Sequence, residues 1–289
     1  MKSLFFFLLF AFGFFQSAAQ HDSFRVMSFN IRLPHQGDGI NYWDHRRPLV
    51  ASTIRYHETD IIGVQEAFRR QLDEMTTDMP EYTWFGVCRT DGTVHPNPDG
   101  EFSAILYRKD RFERLDGNTF WLSETPEVFG SKGWDAALPR IVTWAKFRDM
   151  KSGKIFFYFN THFDHIGEQA REESAKLLLR KMDEIAGEEH VILSGDFNST
   201  DTSKPYLLLT DKQSTYGMTD AMYASQSPHH GPVGSFSGSF TLPGVGNNRI
   251  DFIFFRNSIT VLKHAILSDS WDGRLPSDHL PVLAEVRIE

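Results

Sequence analysis

Residues 191–200 read VILSGDFNST. A short apolar run passes straight into a carboxylate, Asp196, and a carboxamide, Asn198, two residues further on. Such a run reads as a buried strand, and its end carries a proton acceptor beside a hydrogen-bonding amide. The pattern recurs. Asn30 closes FRVMSFN and Glu66 closes IIGVQE. His162 and Asp164 close FYFNTHFD, Asp251 opens IDFIFF, and Asp278 and His279 precede the last apolar run in SDHLPV. Acids, amides and histidines at so many strand ends predict one shared polar floor along an edge of the sheets.

Carboxylates gathered in one place repel and take up protons unless a positive charge neutralises them. The donors are mostly oxygen, which favours a hard cation such as Mg²⁺ or Mn²⁺, one ion or two. No HExxH motif is present, and the single cysteine, Cys88, excludes a cysteine-based zinc site and any intrachain disulfide. Cys88 ends the apolar run YTWFGVC and is read as a core residue.

The elements that position these groups follow from hydrophobic pattern. Strands are expected at 24–31, 61–66, 82–88, 103–108, 141–147, 155–163, 191–196, 250–255, 261–267 and 281–288. Helices are expected at 46–56, with Pro48 in the first turn, at 69–79 and at 203–209. The longest, 167–186, repeats Ala175, Leu178, Leu179, Met182 and Ile185 at helical spacing, with Gly187 as its cap. Residues 92–100 and 228–248 are rich in turn formers and read as surface loops. No linker divides residues 20–289, which are read as one domain.

The chain has 289 residues and a formal net charge of −8. An acidic chain without a Lys/Arg tract gains little from counterion release on polynucleotides. The first residues, MKSLFFFLLFAFGFFQSAAQ, combine Lys2, a short apolar run and a small-residue Ser-Ala-Ala site. They read as a signal peptide, 1–19, removed on export to the periplasm or medium. No later run is apolar enough to span a bilayer, and a monomer is expected.

Taken in order, SFNIR, VQE, THFDH, GDFN, RIDFIF and SDHLPV resemble the endonuclease/exonuclease/phosphatase superfamily, of which DNase I is a member, over essentially the whole of 20–289. The resemblance implies a four-layer α/β/β/α sandwich of two packed mixed sheets with the site at one edge. It implies that Glu66 binds the metal, with Asn30 and Asp278 assisting. It also implies that Asp196 orients or deprotonates the attacking water, that Asn198 bonds the phosphoryl oxygen and that His279 lies beside the phosphate. Asp251 or Asp278 would orient His279, and His162 would bond the phosphate or assist the leaving oxygen.

Substrate contacts are sought in FWLSETPEVFGSKGWDAALPRIVTW, which brings Trp134 and Arg140 near the motifs. Arg140 either forks a phosphate oxygen or pairs with an acid. Trp134 lines a pocket or packs, Trp144 is read as core, and Asp164 contacts substrate or orients a neighbour. Arg171 is expected to face solvent. The reading is an exported metal-dependent phosphodiesterase or phosphatase acting on a small or lipid-linked phosphate ester. An exported nuclease is the alternative, and a non-catalytic binding module a third.

Overall fold

The computed structural model describes residues 22–95 and 100–289. The expected signal peptide and part of the 92–100 loop lie outside the described residues. Twelve described strands form two six-stranded sheets. The first runs β11(Ile259–Ile266), β12(Val282–Ile288), β1(Phe24–Asn30), β2(Ile61–Phe68), β4(Glu101–Arg108), β3(Tyr82–Phe85). The second runs β5(Phe112–Trp121), β6(Ile141–Asp149), β7(Ile155–His162), β8(His190–Asp196), β10(Asp251–Arg256), β9(Thr219–Asp220).

Each sheet has one parallel pair among antiparallel neighbours, β1 with β2 and β7 with β8. Parallel strands need a crossover. These are supplied by helices α1(Trp43–Tyr56) and α3(Glu168–Ala186), while α2(Arg69–Asp78) follows β2 directly. Two short helices, α4(Lys204–Leu209) and α5(Ala221–Ala224), lie between β8 and β10.

Three apolar clusters separate the layers. The central one fills the space between the sheets, with Val26, Ile105, Phe147, Ile192 and Val286 among its members. There Phe24, Phe112, Phe147 and Phe156 interlock at ring separations of 5.3 to 6.0 Å, each contact adding about 0.5–1.5 kcal/mol beyond area burial. The second cluster packs Leu178, Met182 and other α3 residues on the second sheet. The third packs Val50, Ile54, Leu72 and Met75 of α1 and α2 on the first. Two mixed sheets flanked by helices are the sandwich that the motifs imply.

A polar seam also crosses the central layer. Asn160 on β7 donates to the carbonyls of Val64 and Ala104 at 3.0 and 2.8 Å, and accepts from Gln65 at 2.7 Å. Tyr158 donates to Ser194 Oγ at 2.9 Å. Gly63 lies against this seam: a Cβ there would fall 2.1 Å from Ser194 Oγ.

Several boundaries differ from the expectations. Helix α1 starts at Trp43, so Pro48 lies inside it. The expected 82–88 strand ends at Phe85, and Cys88 only bridges Phe102, buried as anticipated. Strand β5 was not anticipated. Its middle, Glu113 to Asn118, is largely exposed and bulged at the sheet edge, so its sequence lacks alternation.

Candidate active site

Parallel strands β1, β2, β7 and β8 all end at the same edge, where antiparallel β10 begins and β12 is approached. That polarity brings six separate motifs together. Asn30 ends β1, and its Nδ2 donates to Glu66 Oε1 and to Asp196 Oδ2, both at 3.0 Å. The second bond crosses from one sheet to the other. Glu66 sits where the β2–β4 register shifts between Val64 and Ala67. Its φ of +58° is uncommon for a residue with a side chain. The bulge re-aims its carboxylate, which also accepts from the Leu33 amide at 3.1 Å.

On the second sheet, Asp196 Oδ1 accepts the Asn198 amide at 3.0 Å, and Asn198 has a φ of +46°. The Asn198 side chain donates to the Phe163 carbonyl at 3.0 Å and meets His162 Nε2 at 3.1 Å. His162 Nε2 lies 3.4 Å from Asp196 Oδ2. Asp251, paired in register with Asp196, meets His279 Nδ1 at 2.9 Å. The other ring nitrogen of His279 is 3.8 Å from Asp196 Oδ2.

Charge is arranged around these contacts. Burial raises the Asp196 carboxyl, the Asp251 charge raises it further, and His279 pulls it back, leaving it at about 7. Burial opposes a charge on His279, but Asp251, Asp196 and Asp278 outweigh that and push it up to about 10. Burial, then Arg140 and Arg89, hold His162 well below the ordinary imidazole range. One imidazole is therefore cationic and the other neutral around a single carboxyl poised near neutrality.

Four residues given no role by the sequence do much of the positioning. Arg46, fully buried on α1, donates to the Ile31 carbonyl at 2.7 Å and the Pro276 carbonyl at 2.8 Å. It thereby ties the loop after β1 to the loop carrying Asp278 and His279, although burial lowers its pKa to about 10. Ser277 repeats the tie, donating to the Asn30 carbonyl at 2.7 Å. Ser235 donates to Asp251 Oδ2 at 2.7 Å and accepts the amides of Ile250 and Asp251. Phe236 lies against the His279 ring at 4.8 Å. The 228–248 segment is therefore partly buried support and not only a surface loop. Its Gly/Ser-rich composition gives no signal of that.

The groups floor a cleft of about 300 Å³, whose walls include Arg32, Glu66, Arg140, His162, Asn198 and His279. Asn30 and Asp251 lie beneath its floor. Arg32 was not singled out from sequence. Its φ is +61°, Asp38 grips it at 3.2 and 3.3 Å, and its Nη1 lies 3.9 Å from Glu66 and 3.8 Å from Asp278. Two carboxylates thus face one point near a positive group. That arrangement of oxygen donors fits a hard divalent ion. Burial raises Asp278, and the Glu66 charge adds to it. A second set, Asp196, Asp251 and His279, offers donor atoms within 4.8 Å of one another. In that set the Asp251–His279 hydrogen bond already engages two of the donors.

Asp164 and Trp134 take the second of the two roles left open for each of them. Asp164 is 1% exposed and lies behind Arg140, outside the cleft lining. Its carboxylate accepts the amides of Ile166, Gly167 and Leu138 and the Nε of Arg140. Burial works against its charge, yet these backbone donors hold it well below the usual carboxylate range. Trp134 packs against the cluster under the second sheet and is not part of the cleft wall. The neighbouring Asp135 caps α3 through the Ala170 amide at 2.6 Å, which pins Trp134 to the helix side. Arg171, expected in solvent, donates to the Asp164 carbonyl at 3.1 Å.

The fold and this edge constellation define a phosphoester hydrolase of the DNase I-like type. The model of the endonuclease/exonuclease/phosphatase family matches residues 27–279, and the chain belongs to that family. A family structure from Bacteroides vulgatus is 40% identical, with a TM-score of 0.85, over 92% of this chain and 99% of that one. A mannosyl-6-phosphatase from Bacteroides thetaiotaomicron is 38% identical, with a TM-score of 0.84, over 91% and 99%. A protein of Acanthamoeba polyphaga mimivirus is 30% identical over 193 residues, 61% of this chain and 68% of its own length.

Proposed function

We propose that this protein is an exported, divalent-metal-dependent phosphoesterase that hydrolyses a P–O bond of a small phosphate ester. One observation carries the reading. The hydrogen bonds Asn30–Asp196 and His279–Asp251 join the two sheets directly beneath the cleft, which supports acid, base and amide groups from both sheets acting at one cleft. A cleft of about 300 Å³ suits a small ester. The likeness to a mannosyl-6-phosphatase supports a sugar phosphate as a substrate to try first.

Glu66, with Asn30 and Asp278, would hold Mg²⁺ or Mn²⁺, which when bound supplies positive charge to the phosphoryl oxygen. The residues do the rest. Asp196, held near neutrality, accepts a proton from the attacking water. His279, kept cationic by Asp251, stabilises the charge that develops on phosphorus-bound oxygen. His162 stays neutral and, with Asn198, orients the same group. Export rests on the leader-like residues 1–19 and is tested by the mass of the protein recovered from periplasm or medium; retention of Met1 there would count against it.

The activity test incubates the protein with hexose 6-phosphates, nitrophenyl mono- and diesters and supercoiled plasmid, with Mg²⁺, Mn²⁺ or EDTA. Phosphate-ester turnover that EDTA abolishes is expected. Efficient plasmid nicking without small-ester turnover would establish the nuclease alternative, and no turnover of any ester would leave a binding module.

A further inference from the structure

We infer that Arg140, mounted by Asp164 and His165, makes the cleft selective for phosphate monoesters over diesters. This rests on the phosphoesterase reading and narrows it to one class of ester.

Arg140 immediately precedes β6, borders the cleft and is 4% exposed. Its Nε donates to Asp164 Oδ2 at 3.3 Å and its Nη2 to His165 Nδ1 at 3.0 Å. Its Nη1 is buried and has no hydrogen-bond partner among the described residues. A buried guanidinium donor left unpaired is costly, and Arg140 belongs to the cleft wall, so its fixed guanidinium is suited to an incoming anion. The mount is rigid. Asp164 accepts three backbone amides besides Arg140. Two of these, Ile166 and Gly167, open α3, and a Cβ at Gly167 would fall 2.5 Å from Asp135 Oδ1. His165 closes the arrangement at the rim, where its side chain is 47% exposed.

Arg140 is also close to the reacting centre. Arg140 and His162 line the same cleft, and His162 contacts both Asp196 and Asn198. A guanidinium in the same cleft as that pair would meet a non-bridging oxygen of the scissile phosphate. A monoester presents three such oxygens and a second negative charge. A diester presents two and carries only a single negative charge, so it offers the guanidinium less. Sites built to hydrogen-bond a group reject analogues that lack it far more strongly than apolar pockets reject an extra methylene. Arg140 is thus a substrate-contacting residue and Asp164 its positioning residue.

The test compares kcat/KM for p-nitrophenyl phosphate and bis-p-nitrophenyl phosphate in wild type, Arg140→Lys, Arg140→Ala and Asp164→Asn, with folding checked by circular dichroism. Wild type is expected to favour the monoester by ~10²-fold or more, and Arg140→Ala to erase most of that ratio. Guanidinium ion added to Arg140→Ala should restore monoester turnover selectively, which a merely structural role would not allow. Asp164→Asn should raise KM for the monoester more than it lowers kcat. Equal losses on both esters in folded variants, or a wild-type preference for the diester, would overturn the inference while leaving the phosphoesterase reading intact. A wild type inert toward every ester would remove both.

Discussion

At the scale of the residue, the site is a set of opposed charges whose protonation is fixed by neighbours. Asp251 is the group on which His279 depends, through a 2.9 Å bond in a fully desolvated position. Asp251→Asn is expected to cut kcat by ~10²-fold or more, the usual scale for a positioned acid–base partner; a steady-state assay at saturating Mg²⁺ measures it, and an unchanged kcat would remove Asp251 from the mechanism. Glu66→Gln removes one of the two cleft carboxylates, Glu66 and Asp278, that lie near Arg32. Its Mn²⁺ affinity by calorimetry should fall, and the thermal stabilisation expected of the wild type on adding Mn²⁺ should shrink with it. Equal affinity in both proteins would shift the ion to the Asp196, Asp251 and His279 group. Much of this was legible in sequence, because an apolar strand that stops on Asp196 or Asn30 has no packing reason to do so. Arg32, Arg46 and Ser235 were not legible. Their work depends on where loops distant in sequence fold back, and an isolated Arg or Ser carries no periodicity.

At the scale of the element, the strand ends and the long helix followed from pattern, with α3 observed at Glu168–Ala186 against the expected 167–186. Strand β5 was hidden because its exposed middle carries Glu113, Arg114 and Asp116 at a sheet edge, where charge suits an edge but erases alternation. The contact between sheets was hidden as well, since nothing in Gly63 or Asn160 alone announces a partner. Gly63→Ala drives a methyl into Ser194 and Asn160. It is expected to cost about 1–3 kcal/mol of stability, read from the urea midpoint; no change would mean that the sheets separate without penalty.

Strand β11 carries a pH-sensitive element. His264 is buried and meets His229 at 2.9 Å, and burial, His229 and Arg249 push its pKa down to about 3. The unfolded chain then binds the extra proton first. His264 therefore costs nothing above the ordinary histidine range. Its penalty grows as pH falls from about 6.5, at no more than about 1.4 kcal/mol per pH unit. Denaturation at pH 7.5 and 5.5 should show a smaller acid-induced loss in His264→Gln than in wild type. Identical losses would place the acid sensitivity elsewhere.

At the scale of the whole molecule, two sheets each bring half of the site, and neither half is complete without the other. Asn30, Glu66, Asp278 and His279 come from the first, and His162, Asp196, Asn198 and Asp251 from the second. The pairing of β1 is equally distributed along the chain. Its neighbours are β2, next in sequence, and β12, with Phe24 opposite Val286. Removing residues 282–288 should therefore yield an insoluble, inactive product, and a soluble, active truncation would show that β12 is dispensable. For folding the consequence is one of order. A chain whose C-terminal strand has not yet docked offers β1 with one flank bare, so the catalytic edge assembles only once β12 has paired.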